Sequence, residues 1–152
     1  MTDEAGARAD AVRALESTLS ELIGQFRRLI AEAAHRISPD MLPGAYKLFT
    51  TIVRQDSVTS SALAELMMMD KGQISRTVRE LEDLGLIART PDPRDGRSSL
   101  LSATPEGLER LAAARVPNER GLEESIAAWG IDDIHRLSEL LHALATGTRP
   151  AQ

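Results

Sequence analysis

The sequence has no cysteine. That excludes disulfides, thiolate nucleophiles, cysteine-based zinc sites and thiol redox sensing, and it suits a reducing, cytoplasmic setting. Aromatic residues are scarce: one Trp, one Tyr and two Phe, 3% of the chain. A core must therefore be assembled from Leu, Ile, Val, Ala and Met. No stretch approaches the ~20 consecutive apolar residues that a membrane-spanning helix needs, and no apolar run of signal-peptide length opens the chain. Neither membrane insertion nor secretion is expected. There is no phosphate-binding glycine loop, dinucleotide fingerprint, nucleophile elbow or Cys/His cluster. The chain is accordingly expected to be neither an enzyme nor the holder of a cofactor or metal.

What is present is an ordinary globular balance over 152 residues, 42% hydrophobic and 27% charged. This fits one compact domain, with or without long helical extensions, and not a disordered chain. The net charge of −5 argues at first against nucleic acid. Its distribution weakens that objection. Of the 23 acidic residues, 15 lie in residues 1–53 and 105–152, where 11 of the 18 basic residues lie. Lys71 to Arg79 carries three basic residues and no acid.

The apolar pattern predicts mostly helix. Val12, Leu15, Leu19, Leu22, Phe26, Leu29 and Ala33 recur at alternating spacings of three and four, so residues 10–37 read as one long amphipathic helix. Its seam either packs within its own domain or meets a second subunit. Ser38-Pro39-Asp40 breaks it. A second helix starts at Pro43 and runs to Arg54 with Ala45, Leu48, Phe49 and Ile52 inward. Thr59 caps a short helix over 60–67. After a short turn Asp70 caps the next, Lys71 to Leu84, and Gln73 completes an Asp-x-x-Gln capping pattern. Ile74, Val78 and Leu81 form its apolar side, and Gly85 stops it. Residues 87–90 and 100–103 read as the two strands of a hairpin, with Pro91 to Arg97 as the turn. Thr104-Pro105-Glu106 opens a further helix that meets a kinking Pro117 and runs towards Trp129, with Gly130 as its stop. A last helix, Asp132 to Ala145, carries Ile134, Leu137, Leu140, Leu141 and Leu144. Two helices at a short turn, followed by a hairpin, make the winged form of the helix-turn-helix. The expected fold is mainly α with this small β-hairpin.

An α-helix fits the DNA major groove and reads bases from its N-terminal end. Lys71, Gly72, Gln73, Ser75 and Arg76 occupy that end of the second helix in the pair. Gln and Arg can bond adenine and guanine through two atoms, and Ser serves bases or phosphates. Gly72 lets the backbone approach closely, with its amide at the phosphate-attracting helix start. Arg79 is better placed for phosphate. Arg94 and Arg97 tip the hairpin, suited to a narrow minor groove. Asp95 either pairs with the Arg97 guanidinium or holds the wing in shape. The plain alternatives are a solvated polar face for the helix and a simple turn for the hairpin. It is the two together that favour DNA.

Leu63-Ala64-Glu65-Leu66, Asp70-Lys71-Gly72-Gln73-Ile74-Ser75-Arg76 and Leu81-Glu82-Asp83-Leu84-Gly85-Leu86-Ile87 resemble the core of the MarR (multiple antibiotic resistance regulator) family. Asp92-Pro93-Arg94-Asp95-Gly96-Arg97, with Thr104-Pro105-Glu106-Gly107 behind it, resembles that family's wing and the start of its fifth helix. The likeness is strongest over residues 42–112. It implies a homodimeric transcriptional regulator, most often a repressor, on a pseudo-palindromic site in double-stranded DNA. Residues 1–37 and 118–152 would form the dimerisation region and residues 38–117 the winged helix-turn-helix, as one integrated domain. It also implies release by a small aromatic or phenolic effector, with His35, Arg36, Tyr46 and Phe49 as bordering residues. Pro117 departs from the family's continuous fifth helix. A winged-helix module that binds protein and no nucleic acid is the competing reading, on the strength of the negative net charge.

Two further features have ordinary explanations. Met67, Met68 and Met69 suit core filling and turn packing better than oxidant or metal sensing. Asp132, His135, Glu139 and His142 share a stripe of the last helix, which reads as a solvated face rather than a metal site.

Overall fold

The computed structural model describes residues 2–150, with side chains from Glu4 onward. Its elements run α1 (Thr2–Ile37), α2 (Pro43–Gln55), β1 (Val58–Thr59), α3 (Ser60–Met67), α4 (Lys71–Asp83), β2 (Ile87–Asp92), β3 (Asp95–Ala103), α5 (Pro105–Ile126) and α6 (Ile131–Thr146). The chain divides into two compact units between Arg115 and Val116.

The first unit holds the core. Phe49, Leu48, Ile52, Leu63, Ile74, Val78, Leu81, Leu86 and Leu101 are fully buried there. They come from α2, α3, α4, the turn after α4 (Leu86) and β3 (Leu101), the helical ones at the spacings that periodicity assigns to one inward face. Each such side chain stabilises the fold by about 1.5–3 kcal/mol through its removal from water. Ala33, Ala34 and Ile37 join them from the last turns of α1. The earlier part of the α1 seam does not: Val12, Leu15, Leu22 and Phe26 are exposed, Phe26 at 60%, and so is the adjacent Ile23.

The sheet has the order β1-β3-β2 and is antiparallel throughout. The sequence reading missed β1, a two-residue strand that pairs Val58 with Leu101 and Thr59 with Leu100. Two residues carry no detectable alternation. A tight turn feeds it: Asp56 has φ 62° and ψ −51°, and Ser57 N–H donates to the Gln55 carbonyl. The hairpin is also longer than expected. Pro91 and Asp92 lie in β2, and β3 begins at Asp95. Pro91 is tolerated because β2 is the edge strand, where a missing amide costs no ladder bond. The register jumps from Pro91↔Ser99 to Asp92↔Asp95, so Gly96, Arg97 and Ser98 bulge from β3 near the tip.

α1 starts earlier than the apolar seam indicated, at Thr2. α5 is one helix through Pro117, although the proline ring removes the amide that would bond the Ala113 carbonyl. It ends at Ile126, short of Trp129, and Gly130 is the N-cap of α6 rather than a helix stop.

In the second unit α6 has Asp132 and Asp133 in its first turn, where acids favour the helix dipole, and Gly147 in the left-handed conformation after its end. Leu137, Leu140, Leu141 and Leu144 along it are exposed. Among the described residues no helix is long and apolar enough to cross a membrane.

Candidate nucleic-acid interface

The helix pair is set by four local devices. Thr59 Oγ1 accepts from the Ala62 amide and opens α3. Met68, with φ 51° and ψ 44°, closes it in the left-handed conformation, while Met69 N–H bonds back to the Ala64 carbonyl. Asp70 Oδ2 accepts from the amides of Gly72 (2.8 Å) and Gln73 (3.1 Å) and opens α4. The return bond from the Gln73 side chain does not form, which leaves that amide group free on the surface. At the far end Gly85 (φ 71°) reverses the chain: its amide bonds the Glu82 carbonyl and that of Leu86 bonds Leu81.

Burial of Ile74, Val78 and Leu81 fixes the roll of α4. Lys71, Gly72, Gln73, Arg76 and Arg79 are exposed, and Ser75 is half-buried. The structure therefore brings the six helix residues singled out by sequence onto the first three turns of one helix. The Gly72 amide is already occupied by Asp70, so it is not free for a phosphate. What glycine supplies there is space: a Cβ would sit 2.8 Å from Asp70 Oδ2.

The wing is shaped by two aspartates that each accept from the amide two residues on. Asp92 Oδ1 takes the Arg94 amide (2.9 Å) and Asp95 Oδ1 the Arg97 amide (3.0 Å). Of the two roles open to Asp95, this is the shape-holding one. Asp92 is the buried charged residue of the described chain, 8% exposed, and its carboxylate lies 3.8 Å from Arg94 Nε. Arg94 and Arg97 themselves are exposed.

Sequence reasoning missed a polar groove of about 520 Å³ between the start of α3 and the wing, lined by Thr59, Ser60, Ser61, Arg89, Asp95, Arg97, Ser98 and Ser99. Five hydroxyls, two guanidinium groups and one carboxylate converge there, which suits an anionic oxygen. Arg89 is held in place by Glu82, Nε to Oε1 at 2.7 Å. The arginine could be seen in the sequence; its proximity to residues 59–61 depends on sheet pairing. A second cavity of about 400 Å³ lies beside α4, bordered by Ser38, Asp40, Arg76, Arg79, Glu80, Asp83 and Leu84.

The four residues linked to an effector are placed differently. Tyr46 and Phe49 are buried in the core. His35 is exposed, with Nδ1 3.0 Å from the Pro39 carbonyl oxygen. Arg36 donates to the Ala114 carbonyl (3.1 Å) and pairs with Glu32 (3.2 Å). None of them lines either cavity. Among the described residues no group of three or more His, Asp or Glu could hold a metal ion, the α6 stripe included.

A family model described as MarR family matches residues 40–98. The HTH-type transcriptional regulator YdgJ of Bacillus subtilis is 26% identical over 95 residues, 62% of this chain and 58% of its own length. A protein of Thauera aromatica named for transcriptional regulation of the hcr operon is 39% identical over 70 residues, 46% of this chain and 42% of its own. The chain spans about half the length of the curated relatives it matches. Among solved structures, Streptococcus pneumoniae FabT in complex with DNA superposes with a TM-score of 0.73, over 89% of this chain and 95% of that one. At 20% identity that likeness is one of fold. Over residues 40–98, which build most of the winged helix-turn-helix, this chain is similar to the MarR family.

Proposed function

We propose that this protein is a transcriptional regulator, not an enzyme, that binds a pseudo-palindromic site in double-stranded DNA as a homodimer. The observation that carries the reading is α4. Its inner face is locked by Ile74, Val78 and Leu81, and its first three turns offer Lys71, Gln73, Arg76 and Arg79 to solvent with no acid among them. Arg94 and Arg97 on the wing, and Arg89 and Arg97 in the neighbouring groove, extend the cationic surface to the DNA backbone. Both relatives are named for transcriptional regulation, YdgJ as an HTH-type regulator, and FabT was solved on DNA.

The homodimer is supported by the exposed seam of α1. Five large apolar residues from Val12 to Phe26 face water in a single chain, more than a monomer normally leaves along one helix. Residues 1–37 and 118–152 form the dimerisation region in this reading. Repression, and relief by a small aromatic or phenolic effector, rest on the family resemblance.

The test is titration of the gene's own upstream DNA from ~50 to ~200 mM salt, where phosphate contacts make affinity fall steeply. Arg76→Ala and Arg97→Ala should each weaken binding by roughly 1–3 kcal/mol. If the wild type shifts no DNA at the low-salt end, a protein-binding winged helix replaces this reading. Normal binding by both variants sinks the assigned surfaces.

A further inference from the structure

Every α-helix ends with carbonyls that lack an amide partner and with the negative end of its dipole. Two such ends meet at one side chain here. Arg110, in the second turn of α5, donates from Nη1 to the Leu84 carbonyl at the C-cap of α4 (3.1 Å) and from Nη2 to the Ile37 carbonyl, the last residue of α1. Glu106, one turn earlier in α5, lies 3.6 Å from the same Nη1. The Arg110 side chain is one-third exposed. The contact is reciprocated: Arg36 in the last turn of α1 donates to the Ala114 carbonyl of α5. An arginine fits this place because its planar fork presents donors in two directions at once. A lysine ammonium is a point charge that reaches one carbonyl well.

We infer that Arg110 is a positioning residue for DNA binding: it fixes the direction of α4 relative to α1. The inference rests on the dimeric, DNA-binding reading. In that reading α1 joins the partner subunit through its exposed seam, and α4 enters the groove. Arg110 touches neither surface. It holds the C-terminal end of α4, and Lys71 lies thirteen residues away at the other end, about 20 Å along the helix. A tilt at the held end is therefore magnified at the reading end. With the brace intact, two copies of α4 stand at one separation and one rotation. Without it, each winged lobe hinges at the α1–α2 and α4–β2 turns.

This makes half-site spacing the informative readout. Adding or removing one base pair between half-sites rotates one against the other by about 36°. The full-length protein is titrated on its own upstream operator and on versions with the spacer changed by one base pair either way. The wild type should lose at least about tenfold in affinity on both altered spacers. Arg110→Met should bind the native spacing about tenfold more weakly and distinguish the spacers by about twofold or less. Arg110→Lys keeps the charge and the pairing with Glu106, so it folds even if the methionine variant does not, and it should also discriminate poorly. The salt slope of both variants should equal that of the wild type, because no phosphate contact is removed. A variant as strict on spacing as the wild type overturns the inference. So does a wild type that tolerates all three spacers, or a salt slope lowered by about one, which would mark Arg110 as a phosphate ligand. A wild type that binds none of the DNAs counts instead against the DNA-binding reading.

Discussion

A side-chain carbon on Gly107 would stand 2.2 Å from the carbonyl oxygen of Leu86. Leu86 is the residue at which the chain leaves the end of α4, and Gly107 is in the first turn of α5. The same carbonyl accepts the Thr104 amide, and Thr104 Oγ1 both donates to the Gly85 carbonyl (2.6 Å) and accepts from the Gly107 amide (2.9 Å). The start of α5 is thus laid directly on the exit of α4, backbone against backbone.

Gly107→Ala should destabilise the protein by roughly 1–3 kcal/mol, because the clash is with backbone and cannot be relieved by a rotamer change. Gly121→Ala, in the same helix with nothing within 4 Å, should stabilise it by about 0.5–1 kcal/mol through helix propensity. Urea unfolding of the two variants, followed by the loss of helical signal, decides the matter. Equal effects at both sites would show that the close approach is absent in solution.

Met68 holds a left-handed conformation that costs a residue with a Cβ about 1–2 kcal/mol, and its side chain is 93% exposed. Met68→Gly should therefore raise stability by about 0.5–1 kcal/mol, after the greater unfolded-state entropy of glycine is subtracted. A lowered melting temperature would mean that the thioether has packing partners not apparent from its exposure.

Asp70→Ala removes the acceptor for two first-turn amides of α4 and should cost about 1 kcal/mol. Its local signature is faster hydrogen exchange at Gly72 and Gln73, with exchange around Val78 and Leu81 shifted only by the global change. Unaltered exchange at both amides would contradict the cap.

Phe26→Asp places a charge at the C-terminal end of the exposed α1 seam, at its most exposed apolar residue. In the proposed homodimer it should shift the self-association equilibrium towards monomer by at least about tenfold, as one buried unpaired charge costs several kcal/mol. Sedimentation equilibrium of the variant and the wild type measures this directly. An unchanged dimer would place the interface elsewhere.

Much of the helix pair was legible in the sequence because its signals are local. The Thr59 and Asp70 caps, the Gly85 stop and the Ile74-Val78-Leu81 stripe each act within one or two turns, and they appear where the residues indicated. The exposed polar row from Lys71 to Arg79 follows from the same stripe. The hairpin was legible in existence and not in extent. Proline at 91 reads as turn, and only its place on an edge strand makes it a strand residue. Gly130 shows a similar ambiguity: glycine both ends helices and begins them, and the apolar pattern on either side is too weak to choose.

Where the paired helices α3 and α4 start and stop, and which face of α4 turns inward, could be read from the residues alone, because caps and periodicity need no distant partner. Tertiary structure alone decided the rest. β1 exists only because Val58 reaches Leu101 in β3. The groove of Arg89 and Arg97 forms only once the wing lies beside the start of α3. Arg110 finds one carbonyl 26 residues away and another 73 residues away, and no local pattern announces either. Contacts of that kind depend on how packed faces bring chain ends together, a property of the assembled core and not of any segment in it.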